Sequence, residues 1–133
     1  MPDRWKIILI VCLFASSVCQ SWGAIACPVF LLEGKANQDG IVLSFRNKGK
    51  LPIQELEFNC TPASSSTPHG IACHTETGLF FPGTDYTSSF PYGSRARSVQ
   101  VALRTARFSD GSTWVTNRDQ KCQPLRMVRK RQH

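Results

Sequence analysis

Turn-forming residues interrupt this chain about every 8–12 positions, and that spacing leaves room only for short extended segments. Between the interruptions the apolar residues recur with a period of two, as in strands with one buried face. Ile41, Leu43 and Phe45 point one way, with Val42, Ser44 and Arg46 on the other side. Asn37-Gln38-Asp39-Gly40 precedes that segment as a turn. Asn47-Lys48-Gly49-Lys50 follows it, with Gly49 expected to supply the positive φ of a tight reversal. Leu56, Phe58 and Cys60 form the inward set of the next segment, with Glu55, Glu57 and Asn59 outward. Ile53 is out of step with that set, which predicts a β-bulge near Gln54.

Further along, Ile71–His74 reads as a short extended piece, and Leu79-Phe80-Phe81 leads into a Pro82-Gly83 turn. Tyr86–Phe90 is another candidate strand. The longest runs from Ser98 to Phe108: Val99, Val101 and Leu103 share a face, and Ala106 and Phe108 continue on the opposite parity. A second bulge near Arg104 or Thr105 reconciles the two halves. Asp110-Gly111, between Phe108 and Trp114, is the strongest hairpin signal in the chain. Together with the apolar run Cys27–Leu32, these segments predict an all-β chain, a single β-sandwich of about seven short antiparallel strands.

The N-terminus suggests the compartment. Arg4 and Lys6 precede the apolar stretch Ile7–Ala15, and small residues gather at Ser21, Gly23, Ala24 and Ala26, the pattern of a secretory signal peptide. Ile7–Val18 falls short of the roughly 20 apolar residues that a membrane span needs. The reading is a signal at 1–23 (cleavage alternatively after 26), a sandwich domain at 24–125 and a basic, mobile tail at 126–133, with no membrane span once the signal is removed. Lipid attachment through Cys27 is a minor alternative. It would leave Cys60, Cys73 and Cys122, an odd number of thiols in an oxidising compartment.

Export turns the four later cysteines into a disulfide framework with three possible pairings. The expected pairs are Cys60 with Cys73, closing the Ser/Thr/Pro-rich loop, and Cys27 with Cys122, joining the first strand to the end of the domain. The alternative use of these residues is a metal set of Cys60, His69, Cys73 and His74. Its spacing matches no familiar signature, and adjacent Cys73 and His74 would point to opposite faces of a strand. No cofactor is implied.

The strand rhythm and the stretch Phe108-Ser-Asp-Gly-Ser-Thr-Trp114 resemble the immunoglobulin-like and fibronectin-like β-sandwich domains of bacterial envelope proteins. Trp114 lies close to Cys122 and far from the first bridged cysteine, and the Cys60–Cys73 interval is too short, so the antibody framework does not apply. The resemblance implies fold alone and assigns no functional residue.

Charge narrows the partner. Of the 16 Lys and Arg and 9 Asp and Glu, the signal takes Arg4, Lys6 and Asp3, which leaves 14 cations against 8 anions. That balance suits an acidic glycan, an envelope surface or another exported protein. Lys48, Lys50, Arg95, Arg97 and Tyr92 are the candidate anionic-ligand set, the aromatic ring beside cations being the reason to include Tyr92. The four arginines Arg95, Arg97, Arg104 and Arg107 read equally as protection of an edge strand.

Catalysis finds little support. Only His69, His74 and His133 are available as imidazole bases. The loop around His69 holds Ser64, Ser65 and Ser66 but no nucleophile elbow. Glu55 and Glu57 share a strand face at about 6.5–7 Å, a spacing that alternation alone produces. No phosphate-cradling glycine loop is present. The sequence reading is therefore a monomeric, secreted or periplasmic, non-catalytic binding or accessory module. A small hydrolase using the His69 loop and a Cys/His metal carrier are its alternatives.

Overall fold

A computed structural model describes residues 26–62, 70–93, 96–117 and 122–129. Eight strands make up the secondary structure among the described residues: β1 (Val29–Ala36), β2 (Gly40–Asn47), β3 (Ile53–Pro62), β4 (Ile71–Phe80), β5 (Asp85–Pro91), β6 (Ser98–Phe108), β7 (Thr113–Val115) and β8 (Leu125–Val128). They form two antiparallel sheets. One has the order β1-β2-β5. The other has the order β4-β3-β6-β7, with β8 also pairing with β6. The last two strands share one side of β6, β8 on Ser98–Val101 and β7 on Thr105–Arg107. Among the described residues no helix is long and apolar enough to cross a membrane.

The core is built from the inward members of each alternating set. Ile41, Leu43 and Phe45 of β2 face Leu56, Phe58 and Cys60 of β3 and Val99, Val101, Leu103, Ala106 and Phe108 of β6, all buried. Phe45 centres an aromatic group, with ring centroids 5.3 Å from Phe80, 5.9 Å from Tyr86 and 6.0 Å from Phe58. Trp114 adds its indole to the same core.

Both expected bulges are present. Against β6, Ile53 faces Phe108 and Glu55 faces Arg107, so Gln54 is the extra residue. Opposite Glu57 and Phe58, β6 presents Thr105 and Leu103, so Arg104 is extra there. Each shift returns the apolar residues beyond it to the buried face. The β6–β7 hairpin closes at Asp110-Gly111. Gly111 takes φ 88° and donates its amide to the Phe108 carbonyl at 3.0 Å, a three-residue loop with a left-handed glycine.

Four expectations need correction. Ile71–Phe80 is one continuous strand, not two short pieces, because it pairs with β3 along its length. Gly49 is not in the positive-φ region. No hairpin turn is needed there, since β2 and β3 belong to different sheets and the 48–52 connection passes from one to the other. The strand total is eight because β8 lies where a tail was expected: Met127 is 3% exposed and packs into the core, while Arg126 and Val128 face outward. The remaining tail residues, 130–133, lie outside the described residues. Finally, β6 is an interior strand, so its arginines guard no edge. Arg104 pairs with Glu57 at 3.0 Å and Arg107 with Glu55 at 3.2 Å, both on neighbouring β3.

The two sulfur pairs are those expected. Cys27 is bonded to Cys122, with Cα atoms 5.1 Å apart, and Cys60 to Cys73, with Cα atoms 5.6 Å apart. The first joins the chain before β1 to the chain before β8. The second crosses from β3 to β4. Bonded in this way, Cys27 has no free sulfur to carry a lipid, which removes the lipid-anchor alternative.

Candidate anion-binding end of the sandwich

β2 and β5 run antiparallel with Gly40 opposite Pro91 and Arg46 opposite Asp85. This register decides where the expected site residues fall. Lys48 and Lys50 follow the Asn47 end of β2, whereas Tyr92 and Arg97 follow Pro91 at the other end. The length of β2, about 3.3 Å per residue, separates the two groups by roughly 20 Å. Lys48, Lys50, Arg97 and Tyr92 therefore do not form one site; Arg95 lies outside the described residues.

The Tyr92 end instead acquires two arginines from the former tail. Strand β8 pairs Val128 with Ser98, which carries Arg129 back over the start of β6, where its amide donates to the Arg97 carbonyl at 2.7 Å. Arg129 also forms an isolated bridge with Ala36 at the end of β1. The Arg129 guanidinium lies 5.7 Å from the Tyr92 ring centroid and donates through Nη2 to the Tyr92 carbonyl at 2.9 Å. The Tyr92 amide in turn donates to the Asp39 carbonyl at 3.3 Å, tying the site to the β1–β2 turn. Arg126 lies beside the same strand start, with Nη2 3.5 Å from Ser98 Oγ. Burial raises the Tyr92 phenol above its ordinary pKa, and nearby Arg129 pulls it back in part, so the ring stays neutral at physiological pH.

Arg129 thus lies over one aromatic ring, with the Arg97 backbone and Arg126 on the adjoining strand start. The ion pairs formed among the described residues, Arg46–Asp85, His74–Glu76, Arg104–Glu57 and Arg107–Glu55, involve none of the three. A sequence signal for the two added arginines existed in the alternation Leu125-Arg126-Met127. Four residues are too few for that period to stand out from an irregular tail.

The structure also brings together a cluster that spacing did not reveal. His74 and Glu76 lie two apart on β4 and share a face, and they meet Ser88 and Phe90 of β5 across the seam between the sheets. His74 Nε2 is 2.5 Å from Glu76 Oε2 and 3.3 Å from Ser88 Oγ, and Ser88 Oγ donates to the same Glu76 oxygen. The imidazole stacks on Phe90 with centroids 4.3 Å apart and planes 5° from parallel. In a hydrolytic triad the acid and the nucleophile sit on opposite ring nitrogens. Here both lie on Nε2, and the serine is buried and bonded to the carboxylate. The arrangement ties β4 to β5 and does not prepare a nucleophile.

This cluster and the disulfide together dissolve the metal set. Cys60 and Cys73 are consumed in their bond, His74 is engaged with Glu76 and Ser88, and His69 lies outside the described residues. The loop of the hydrolase alternative, 63–69, lies outside the described residues as well. The carboxylates Glu55 and Glu57, considered as an acid/base pair, are each matched to an arginine.

No protein-family model and no curated protein sequence matches the chain. Among solved structures, it is similar to a Northeast Structural Genomics Consortium target, SoR45, at 14% identity and TM-score 0.42, over 75% of this chain and 81% of that one. It is also similar to a β-glucosidase from Kluyveromyces marxianus, at 12% identity and TM-score 0.40, over 77% of this chain but 14% of the enzyme.

Proposed function

We propose that this chain is an exported, non-catalytic binding module, acting as a monomer, that grips an acidic polysaccharide at the Tyr92 end of its sandwich. The observation that carries this reading is the Arg129 guanidinium over the Tyr92 ring, with Arg97 and Arg126 on adjoining backbone and all three outside every ion pair formed among the described residues. Guanidinium groups present planar forks that suit carboxylate and sulfate groups, and a neutral aromatic face suits a sugar ring beside them. Lys130 and Arg131 extend the same charge in sequence.

Two disulfides suit an oxidising compartment, and with the N-terminal leader they support delivery to the periplasm or the secreted space. Two facing antiparallel sheets support an immunoglobulin-like reading of the fold. The order β4-β3-β6-β7 departs from the constant-type arrangement, in which the fourth strand completes the first sheet.

Calorimetric titration of heparin into the protein across a range of salt concentrations tests the proposal. Binding should weaken steeply as salt rises, since cations on a polyanion release its counterions. Arg126→Ala with Arg129→Ala should abolish it, and Lys48→Ala with Lys50→Ala should leave it intact. Salt-independent binding, or binding indifferent to the arginines, would overturn the proposal.

A further inference from the structure

The opposite end of the sandwich presents a different chemistry. Asn47, at the close of β2, is fully buried, and its Nδ2 donates to the carbonyls of Leu51 at 2.8 Å and Phe80 at 2.9 Å. One amide thereby holds the β2–β3 connection against the end of β4, with the backbones of Leu51 and Phe81 close together. The two side chains are not drawn inward with the backbone: Leu51 is 41% and Phe81 50% exposed. Phe30, at the same end of β1, is 53% exposed beneath Lys48, whose ammonium lies 5.8 Å from its ring centroid. Lys50 is exposed beside Leu51.

The charge at this end is positive. Asp85 is matched by Arg46, and Glu55 by Arg107. The Asp110 carboxylate is held by the Ser112 amide and hydroxyl, and it is the one anion left against Lys48 and Lys50 among the described residues of these turns. Exposed apolar tips beside lysines fit the boundary layer of a lipid bilayer, where apolar groups enter the headgroup region and ammonium groups remain on the phosphates. A second copy of this chain fits less well, because a symmetric contact would bring Lys48 and Lys50 against their own counterparts. Strand β1 also begins here, with Val29 opposite Asn47.

We propose that this end docks on an anionic lipid surface, with Leu51 and Phe81 entering the headgroup boundary and Lys48 and Lys50 resting on the phosphates. The site is independent of the arginines at the Tyr92 end.

Co-sedimentation with phosphatidylcholine vesicles, with and without phosphatidylglycerol, tests this on the naturally processed protein and its variants. The protein should partition onto the phosphatidylglycerol-containing vesicles. Lys48→Gln and Lys50→Gln should each weaken partitioning by about fivefold. Leu51→Ser with Phe81→Ser should abolish it while leaving the melting temperature close to that of the native protein. Arg126→Ala with Arg129→Ala should leave it unchanged. The proposal is overturned if the native protein fails to sediment with anionic vesicles or if binding survives both the lysine and the apolar substitutions. A change in the protein's own sedimentation mass with those substitutions would likewise overturn it, by marking the patch as a contact between copies.

Discussion

Replacing Asn47 with alanine should cost this domain a large share of its stability. Three groups lose their partner together: the carbonyls of Leu51 and Phe80, which accept from Nδ2, and the Gly49 amide, which donates to Oδ1 at 2.9 Å. The Phe80 bond is buried, so its carbonyl is left without water at a cost of roughly 1–3 kcal/mol. The other two bonds are partly buried, and water can replace some of what they lose, at about 0.5–1.5 kcal/mol each. The total is roughly 2–6 kcal/mol against a stability of about 5–15 kcal/mol for a domain. A value near 3 kcal/mol lowers the melting temperature of a domain this size by about 10–20 °C.

Differential scanning calorimetry and urea titration would measure the loss. Asn47→Asp gives a sharper signature. A carboxylate would face two carbonyl oxygens, so its folded-state pKa is raised, and the penalty is present at neutral pH and shrinks as falling pH protonates it. An alanine variant within about 0.5 kcal/mol of the native protein, the range of ordinary surface substitutions, would refute the clamp.

Other outcomes follow from single contacts. Gly40→Ala should destabilise the β2–β5 ladder, because the new Cβ would stand 2.5 Å from the Phe90 carbonyl oxygen, a backbone atom held by strand pairing; an unchanged melting temperature would contradict it. Cys27→Ser with Cys122→Ser should lower the unfolding free energy by up to about 4.7 kcal/mol, the loop-closure value for a span near 100 residues, read by chemical denaturation. At Glu76, burial pushes the pKa up, but hydrogen bonds from Ser88 and His74 outweigh it and hold the group below its ordinary value. Its contribution is therefore complete above the ordinary carboxylate range and is lost as pH falls through the lowered value. Glu76→Gln should flatten the acid limb of a plot of melting temperature against pH, and an unchanged acid limb would sink the seam's assigned role.

Much of the fold was legible in the sequence wherever local rules decide it. The slips in alternation at Gln54 and Arg104 were readable because a bulge is the only way to keep Ile53 and Leu56, or Leu103 and Ala106, on one buried face. Asp110-Gly111 was readable because a left-handed residue was needed between two apolar strands. The sulfur pairing was legible from parity and loop length. What stayed hidden depends on contacts distant in sequence. The Lys48–Tyr92 separation follows from the β2–β5 register, and the His74–Glu76–Ser88 seam requires two edge strands from different sheets to meet. Gly49 misled because a lysine-flanked glycine reads as a hairpin, whereas Asn47 makes the turn by capturing backbone from two connections. Arg126 and Arg129 were hidden in a strand too short to show its period.

Export of this domain would deliver it with its four described cysteines crosslinked. Intact mass of the protein taken from its natural host, before and after alkylation without reductant, tests this most directly. The expected product begins at Ala24 or Cys27 and takes up no alkyl group on Cys27, Cys60, Cys73 or Cys122. A product that keeps Met1 and alkylates all four would contradict it.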